Sequence, residues 1–136
     1  TGLMYVPTQD SYAMYYLTEL DPRGAMGLGG KEEIGLGTVR SYIAAIDYKT
    51  GKTAWKHVYP SLGGALGSGM LTTAGGLLFA GDVSGNIIGY DAANGKPLWH
   101  AYLTNTVTNA PETYSLDGHQ YLLVAAGDTI YSFILQ

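Results

Sequence analysis

Ala45-Ile46-Asp47-Tyr48-Lys49-Thr50-Gly51-Lys52-Thr53-Ala54-Trp55-Lys56 is answered, position for position, by Gly89-Tyr90-Asp91-Ala92-Ala93-Asn94-Gly95-Lys96-Pro97-Leu98-Trp99-His100. Both stretches read small, aromatic or aliphatic, Asp, three turn residues, Gly-Lys, two spacers and Trp. Asp47 and Asp91 lie 44 residues apart, as do Gly51 and Gly95, and Trp55 and Trp99. The glycines stand where a hairpin asks for positive φ, which costs a residue without a Cβ little. Each Asp ends a strand and can accept backbone N–H groups across the turn. Each Trp offers a large flat ring and an N–H that needs a carbonyl. Because all three recur once per repeat, Asp47, Gly51, Trp55, Asp91, Gly95 and Trp99 read as structural fasteners between repeats and not as a site.

A fixed period of roughly 40–50 residues marks the four-stranded blade of a β-propeller. Short segments bounded by Gly, Pro, Asn or Asp supply the strands: Leu3–Thr8, Tyr12–Leu17, Val39–Asp47, Thr53–Tyr59, Gly69–Thr73, Leu77–Gly81, Asn86–Asp91, Pro97–Leu103, Glu112–Ser115, Gln120–Ala125 and Thr129–Leu135. Asp117-Gly118 signals a further hairpin. Sustained helical periodicity is absent, so the expected class is all-β, a partial propeller of two to three blades. The blade assignment is 1–62 for a partial blade with a loop insertion at 10–38, 63–104 for a complete blade, and 105–136 for a partial last blade. Two of its strands would expose open edges, at Leu3–Thr8 and Thr129–Leu135, and open edges invite self-association.

Composition agrees with strands and turns. Only 13% of the 136 residues are charged, while glycine numbers 20 and tyrosine 12. The net charge of −4, with no basic cluster, argues against a nucleic-acid partner. No apolar run reaches the roughly 20 residues of a membrane-spanning helix. The absence of cysteine excludes a disulfide framework. Thr1-Gly2-Leu3-Met4-Tyr5-Val6 lacks a charged n-region and reads as the middle of a strand, which suggests an excised segment.

Asp10 to Thr38 breaks the period with roughly a blade's worth of irregular sequence, holding Pro22, Gly24-Ala25-Met26-Gly27-Leu28-Gly29-Gly30 and Lys31-Glu32-Glu33. Such an insertion projects from one face, either to build a site or as a loop without chemistry. Other motifs are weak. His57, His100 and His119 have no metal-ligand spacing, and a packing or solvated role suits each. Gly27-Leu28-Gly29-Gly30 and Gly51-Lys52-Thr53 lack the context of a phosphate loop. Ser68, Ser84 and Ser115 show no nucleophile elbow.

The repeat resembles the tryptophan-docking motif of the quinoprotein dehydrogenases, the alcohol and methanol dehydrogenases dependent on pyrroloquinoline quinone (PQQ). Leu71-Thr72-Thr73-Ala74-Gly75-Gly76-Leu77-Leu78-Phe79-Ala80-Gly81 resembles the strand pair that opens that family's penultimate blade. Ala110-Pro111-Glu112-Thr113-Tyr114, with Asp117-Gly118-His119-Gln120-Tyr121-Leu122-Leu123-Val124-Ala125-Ala126-Gly127, resembles its C-terminal blade. Thr1-Gly2-Leu3-Met4-Tyr5-Val6-Pro7 resembles a strand before them.

The resemblance implies a propeller of about eight blades, with PQQ on its axis beside calcium or a lanthanide, oxidising alcohols to aldehydes in the periplasm and passing electrons to a cytochrome. The family's metal ligands and aspartate base have no counterpart in this chain, so the segment is expected to contribute no catalytic or metal-ligating residue and to bind PQQ, if at all, only with the rest of the propeller. By resemblance, Gln9 and Asp10 approach the cofactor. Gly67 and Ser68 stand where many members carry Trp with Asn or Gly near it. The alternative is a non-catalytic propeller scaffold for protein binding in the bacterial envelope, like the outer-membrane-assembly lipoproteins.

Overall fold

In a computed structural model that describes residues 2–17, 31–60 and 68–134, the described residues form ten β-strands and no helix. Three antiparallel sheets follow one another along the chain. The first holds β1 (Leu3–Leu17), β2 (Lys31–Asp47) and β3 (Thr53–Val58) in that order. The second holds β4 (Met70–Thr72), β5 (Leu77–Gly81), β6 (Asn86–Asp91) and β7 (Pro97–Tyr102). The third holds β8 (Glu112–Leu116), β9 (His119–Ala126) and β10 (Thr129–Ile134). This is an all-β partial propeller.

The sequence repeat is also a repeat of register. Leu3 pairs with Asp47 and Leu77 with Asp91; Tyr5 pairs with Ala45 and Phe79 with Gly89. Ala45 in turn pairs with Trp55, and Gly89 with Trp99. Both sheets carry an irregularity one step later, between Ala45 and Ile46 and between Gly89 and Tyr90. In the third sheet Leu122 pairs with Phe133 as Leu78 pairs with Tyr90, so β9 and β10 take the places of β5 and β6.

Alternation along each strand divides the core in two. On β5, Leu78 and Ala80 face the first sheet, where they join Ile43, Tyr59, Tyr90 and Ala92 with Tyr5, Trp55, Met70 and Ile88 packed alongside. Phe79 faces the third sheet and packs with Ile87, Leu103, Val107, Leu122, Val124 and Ala126. A strand with both faces covered reads as a continuous apolar run, and Leu77-Leu78-Phe79-Ala80 is one. Asp117 (φ 52°) and Gly118 (φ 80°) make a two-residue hairpin of the type whose twist suits paired strands.

The insertion departs from the irregular segment expected at Asp10–Thr38. β1 does not stop at Thr8 and restart at Tyr12; it runs unbroken to Leu17 and pairs with β2 down to Lys31. The register shifts between Asp10 and Ser11 and between Tyr12 and Ala13, and Asp10–Leu17 with Lys31–Thr38 continue the first two strands as a two-stranded ribbon. Residues 18–30 lie outside the described part, as does the expected strand end at Leu135.

Candidate functional site

A chain of hydrogen bonds gathers the expected cofactor-facing residues at one end of adjacent sheets. Gln9 pairs with Ser41 across β1 and β2. The Ser41 carbonyl accepts the Tyr59 N–H at 2.9 Å, and the Tyr59 hydroxyl reaches the Gly81 carbonyl at 3.5 Å. The Gly81 N–H then donates to the Ser68 hydroxyl at 3.0 Å. Gln9 and Asp10 on the first sheet and Ser68 on the second therefore share an end, the one from which the β1–β2 ribbon extends. Gly67 lies outside the described residues.

Their environments differ. The half-buried Asp10 carboxylate accepts from the Tyr42 hydroxyl at 3.4 Å, and Lys56 Nζ sits 4.4 Å from the centre of the Tyr42 ring. Ser68 is buried, and besides accepting from Gly81 its hydroxyl donates to the Gly69 carbonyl at 3.1 Å. That hydroxyl stitches the entrance of β4 to the end of β5. Among the described residues no three His, Asp or Glu side chains gather as a metal ion requires.

Asp82 belongs to the same end and sequence reading passed over it. It is buried, and its Oδ1 accepts the N–H groups of Ser84 at 2.9 Å and Asn86 at 2.8 Å, while Oδ2 accepts from Asn86 Nδ2 at 2.8 Å. Its carbonyl also accepts the Val107 N–H at 3.0 Å, tying the β5–β6 turn to the segment that leads into the third sheet. The run Asp82-Val83-Ser84-Gly85-Asn86 is the readable signal, an Asx turn between two strands.

At the opposite end lie the repeat residues. Asp47 Oδ1 accepts the N–H groups of Lys49 and Thr50, both at 2.9 Å, and these bonds hold its carboxyl below the ordinary range. Asp91 Oδ1 accepts the Ala93 N–H at 2.8 Å, and its Oδ2 accepts from Asn94 Nδ2 at 2.6 Å. Trp55 Nε1 donates to the Ala92 carbonyl of the next sheet at 3.1 Å, and the Tyr5 hydroxyl reaches that same oxygen at 2.9 Å. Gly95, at φ 74°, lies flat against the indole: a Cβ there would stand 2.5 Å from Trp55 Cε3. Trp99 rests edge-on against Phe133, with ring centres 5.2 Å apart, and has no equivalent turn over it among the described residues.

Between the two ends His57, Tyr59 and Tyr90 pack together. The His57 ring lies 4.8 Å from Tyr90 and 5.5 Å from Tyr59, and burial lowers its pKa. Burial also raises both phenols, Tyr90 to about 12. The Tyr90 hydroxyl is buried without a hydrogen-bond partner among the described residues. This places His57 in a packing role.

Comparison with known proteins fits this geometry. Residues 39–133 match the family profile PQQ_2, described as Outer membrane protein assembly factor BamB. Quinohemoprotein alcohol dehydrogenase ADH IIB of Pseudomonas putida is 32% identical over 133 residues, which cover 93% of this chain and 19% of that protein. The crystal structure of ADHIIG from P. putida HK5 superposes with a TM-score of 0.76 at 29% identity, over 96% of this chain and 21% of that one. A europium-containing methanol dehydrogenase gives a TM-score of 0.71 at 27% identity, over 90% and 22%. The chain thus spans about a fifth of the length of the relatives it matches. It belongs to the PQQ_2 family, and the proteins it resembles over nearly its whole length include quinoprotein and quinohemoprotein alcohol dehydrogenases.

Proposed function

We propose that these 136 residues are the C-terminal propeller segment of a PQQ-dependent dehydrogenase that oxidises alcohols to aldehydes, bracing the propeller and lining the cofactor pocket without catalysing the reaction alone. The observation that carries this reading is similarity to such dehydrogenases along 93% of the chain, in both halves and in order. In this reading, residues 1–62, 63–104 and 105–136 are a partial, a complete and a partial blade. Asp47, Gly51, Trp55, Asp91, Gly95 and Trp99 are the fasteners between blades. Gln9, Asp10, Gly67 and Ser68 line the cofactor end.

PQQ would supply the hydride acceptor, with calcium or a lanthanide beside it. The chain's own part is narrower. Asp10, steadied by Tyr42, and the Gln9 amide offer polar groups to a bound quinone, while Ser68 fixes the backbone at the entrance to β4. Metal ligands and the proton-accepting base would come from elsewhere in the polypeptide. Electrons would leave to a cytochrome, and the periplasm is the compartment. The family's description favours one other reading, a binding scaffold of the cell envelope. The two part on a dye-reduction assay with full-length protein, PQQ, calcium or a lanthanide, and a panel of alcohols. The dehydrogenase reading expects alcohol-dependent reduction, and no reduction with any alcohol would leave the scaffold.

A further inference from the structure

Of the asparagines in the chain, Asn94 alone is followed by glycine; Ile, Thr and Ala follow Asn86, Asn105 and Asn109. An Asn-Gly pair is chemically labile, because glycine has no Cβ to keep its amide nitrogen from the preceding side chain. The Gly95 nitrogen can bond to Asn94 Cγ while the Cγ–Nδ2 bond breaks, and ammonia leaves with the amide proton. Water then opens the imide ring at either carbonyl, leaving aspartate or the β-linked isoaspartate. The sequence of steps needs water and no oxidant or reductant.

The fold holds the reacting atoms apart. The Gly95 N–H donates to the Asp91 carbonyl at 2.8 Å. Asn94 Nδ2 donates to Asp91 Oδ2 at 2.6 Å, and Asn94 Oδ1 accepts the Lys96 N–H at 2.9 Å. Asn94 is exposed to water, but Gly95 is buried beneath the Trp55 indole. That indole is itself tied through Nε1 to the Ala92 carbonyl at 3.1 Å. Freeing the Gly95 N–H swings its peptide plane against the ring, so the turn reacts only once Trp55 has lifted. The first copy of the repeat carries Thr50 at this position, which forms no imide.

We propose that Asn94 is a modification site gated by the fastener between the first two sheets, its deamidation recording the time that interface has spent open. The product does not close again. Isoaspartate inserts a methylene into the main chain just before Gly95, so the glycine no longer lies flat on the indole. Either product also sets a second carboxylate against Asp91, where an amide donor stood.

The test ages the full-length protein in mildly alkaline buffer, folded and in urea, beside a synthetic peptide copying Gly89–His100. Peptide mapping follows Asn94, with an isoaspartyl methyltransferase to label the β-linked product. The proposal expects Asn94 to react at least about tenfold more slowly in the folded protein than in urea or in the peptide, in proportion to how rarely the turn opens. Trp55→Phe keeps a ring over Gly95 but loses the bond to Ala92, and should speed the folded reaction by about threefold to tenfold. Ageing should raise hydrogen exchange across Asp91–Lys96 in the wild type and leave it unchanged in Asn94→Thr. The proposal is overturned if Asn94 stays intact in urea and in the peptide, or if the folded protein reacts as fast as they do. It is equally overturned if Trp55→Phe reacts no faster than the wild type, or if the modified turn exchanges no faster than the unmodified one.

Discussion

Replacing Gly95 with alanine separates the two costs of the fastener, because the chain carries its own control at Gly51. Both glycines have nearly the same positive φ, 74° and 69°, but a Cβ at Gly51 meets nothing within 4 Å while one at Gly95 would stand 2.5 Å from Trp55. For Gly51→Ala the left-handed backbone costs about 1–2 kcal/mol. A stiffer unfolded chain offsets about 0.4–1 kcal/mol of that, which leaves a net loss near 1 kcal/mol. Gly95→Ala adds displacement of the indole. Losing the bond to the Ala92 carbonyl costs about 1 kcal/mol, and lifting about 40 Å² of apolar ring surface costs about 1 kcal/mol more. The expected total is near 3 kcal/mol. Urea unfolding reads the difference of about 2 kcal/mol as a midpoint lower by about 1 M at unchanged slope. In a Trp55→Ala background the Gly95→Ala cost should fall back to that of Gly51→Ala. Equal destabilisation by the two alanines in the wild-type background, or an unchanged Gly95→Ala cost without Trp55, would refute the interlock.

Further outcomes are expected from other residues. Trp55→Phe should destabilise by about 1 kcal/mol, and Tyr5→Phe with it by no more than about 2 kcal/mol, since the two donors share one carbonyl; thermal unfolding of the single and double variants measures this. Asp82→Ala leaves two N–H groups and an amide without their acceptor in a buried turn and should cost about 3 kcal/mol or more, with hydrogen exchange rising first at Ser84 and Asn86. His57 has a folded pKa depressed by burial, so the unfolded chain takes up the proton first. Its contribution is whole above the unfolded value of about 6.5 and is lost as pH falls through it. The drop in unfolding midpoint between pH 7 and 5 should shrink in His57→Phe, and an unchanged drop would remove His57 as its cause.

The repeat was legible because each copy solves the same local problem, an Asp to lock a turn and a glycine to cross it, and Trp55 of the first copy packs on the turn of the second. The apolar run at Leu77–Ala80 likewise marks the strand covered on both faces. Less was legible where a residue's role depends on a distant partner. Tyr12–Leu17 reads as a strand, but its union with Leu3–Thr8 does not, because a two-stranded ribbon needs no strict alternation, and Tyr12 and Met14 are both more than half exposed. The bond from the Gly81 N–H to the Ser68 hydroxyl, thirteen residues away in sequence, is a tie of that kind. Asp82 carried its signal in the following Ser-Gly-Asn, but a turn motif does not tell a buried lock from a surface one. Tyr59 and Tyr90 meet only because the first two sheets stack.

Aldehyde formation by the full-length polypeptide tests the central claim most directly. Purified protein is loaded with PQQ and calcium or a lanthanide, given primary alcohols, and assayed for product and for reduced dye together. With a two-electron dye the account predicts aldehyde and reduced dye in equal amounts, dependent on PQQ, and none from the 136-residue chain under the same conditions. Full-length protein that forms no aldehyde from any alcohol, or a 136-residue chain that forms it unaided, would contradict it.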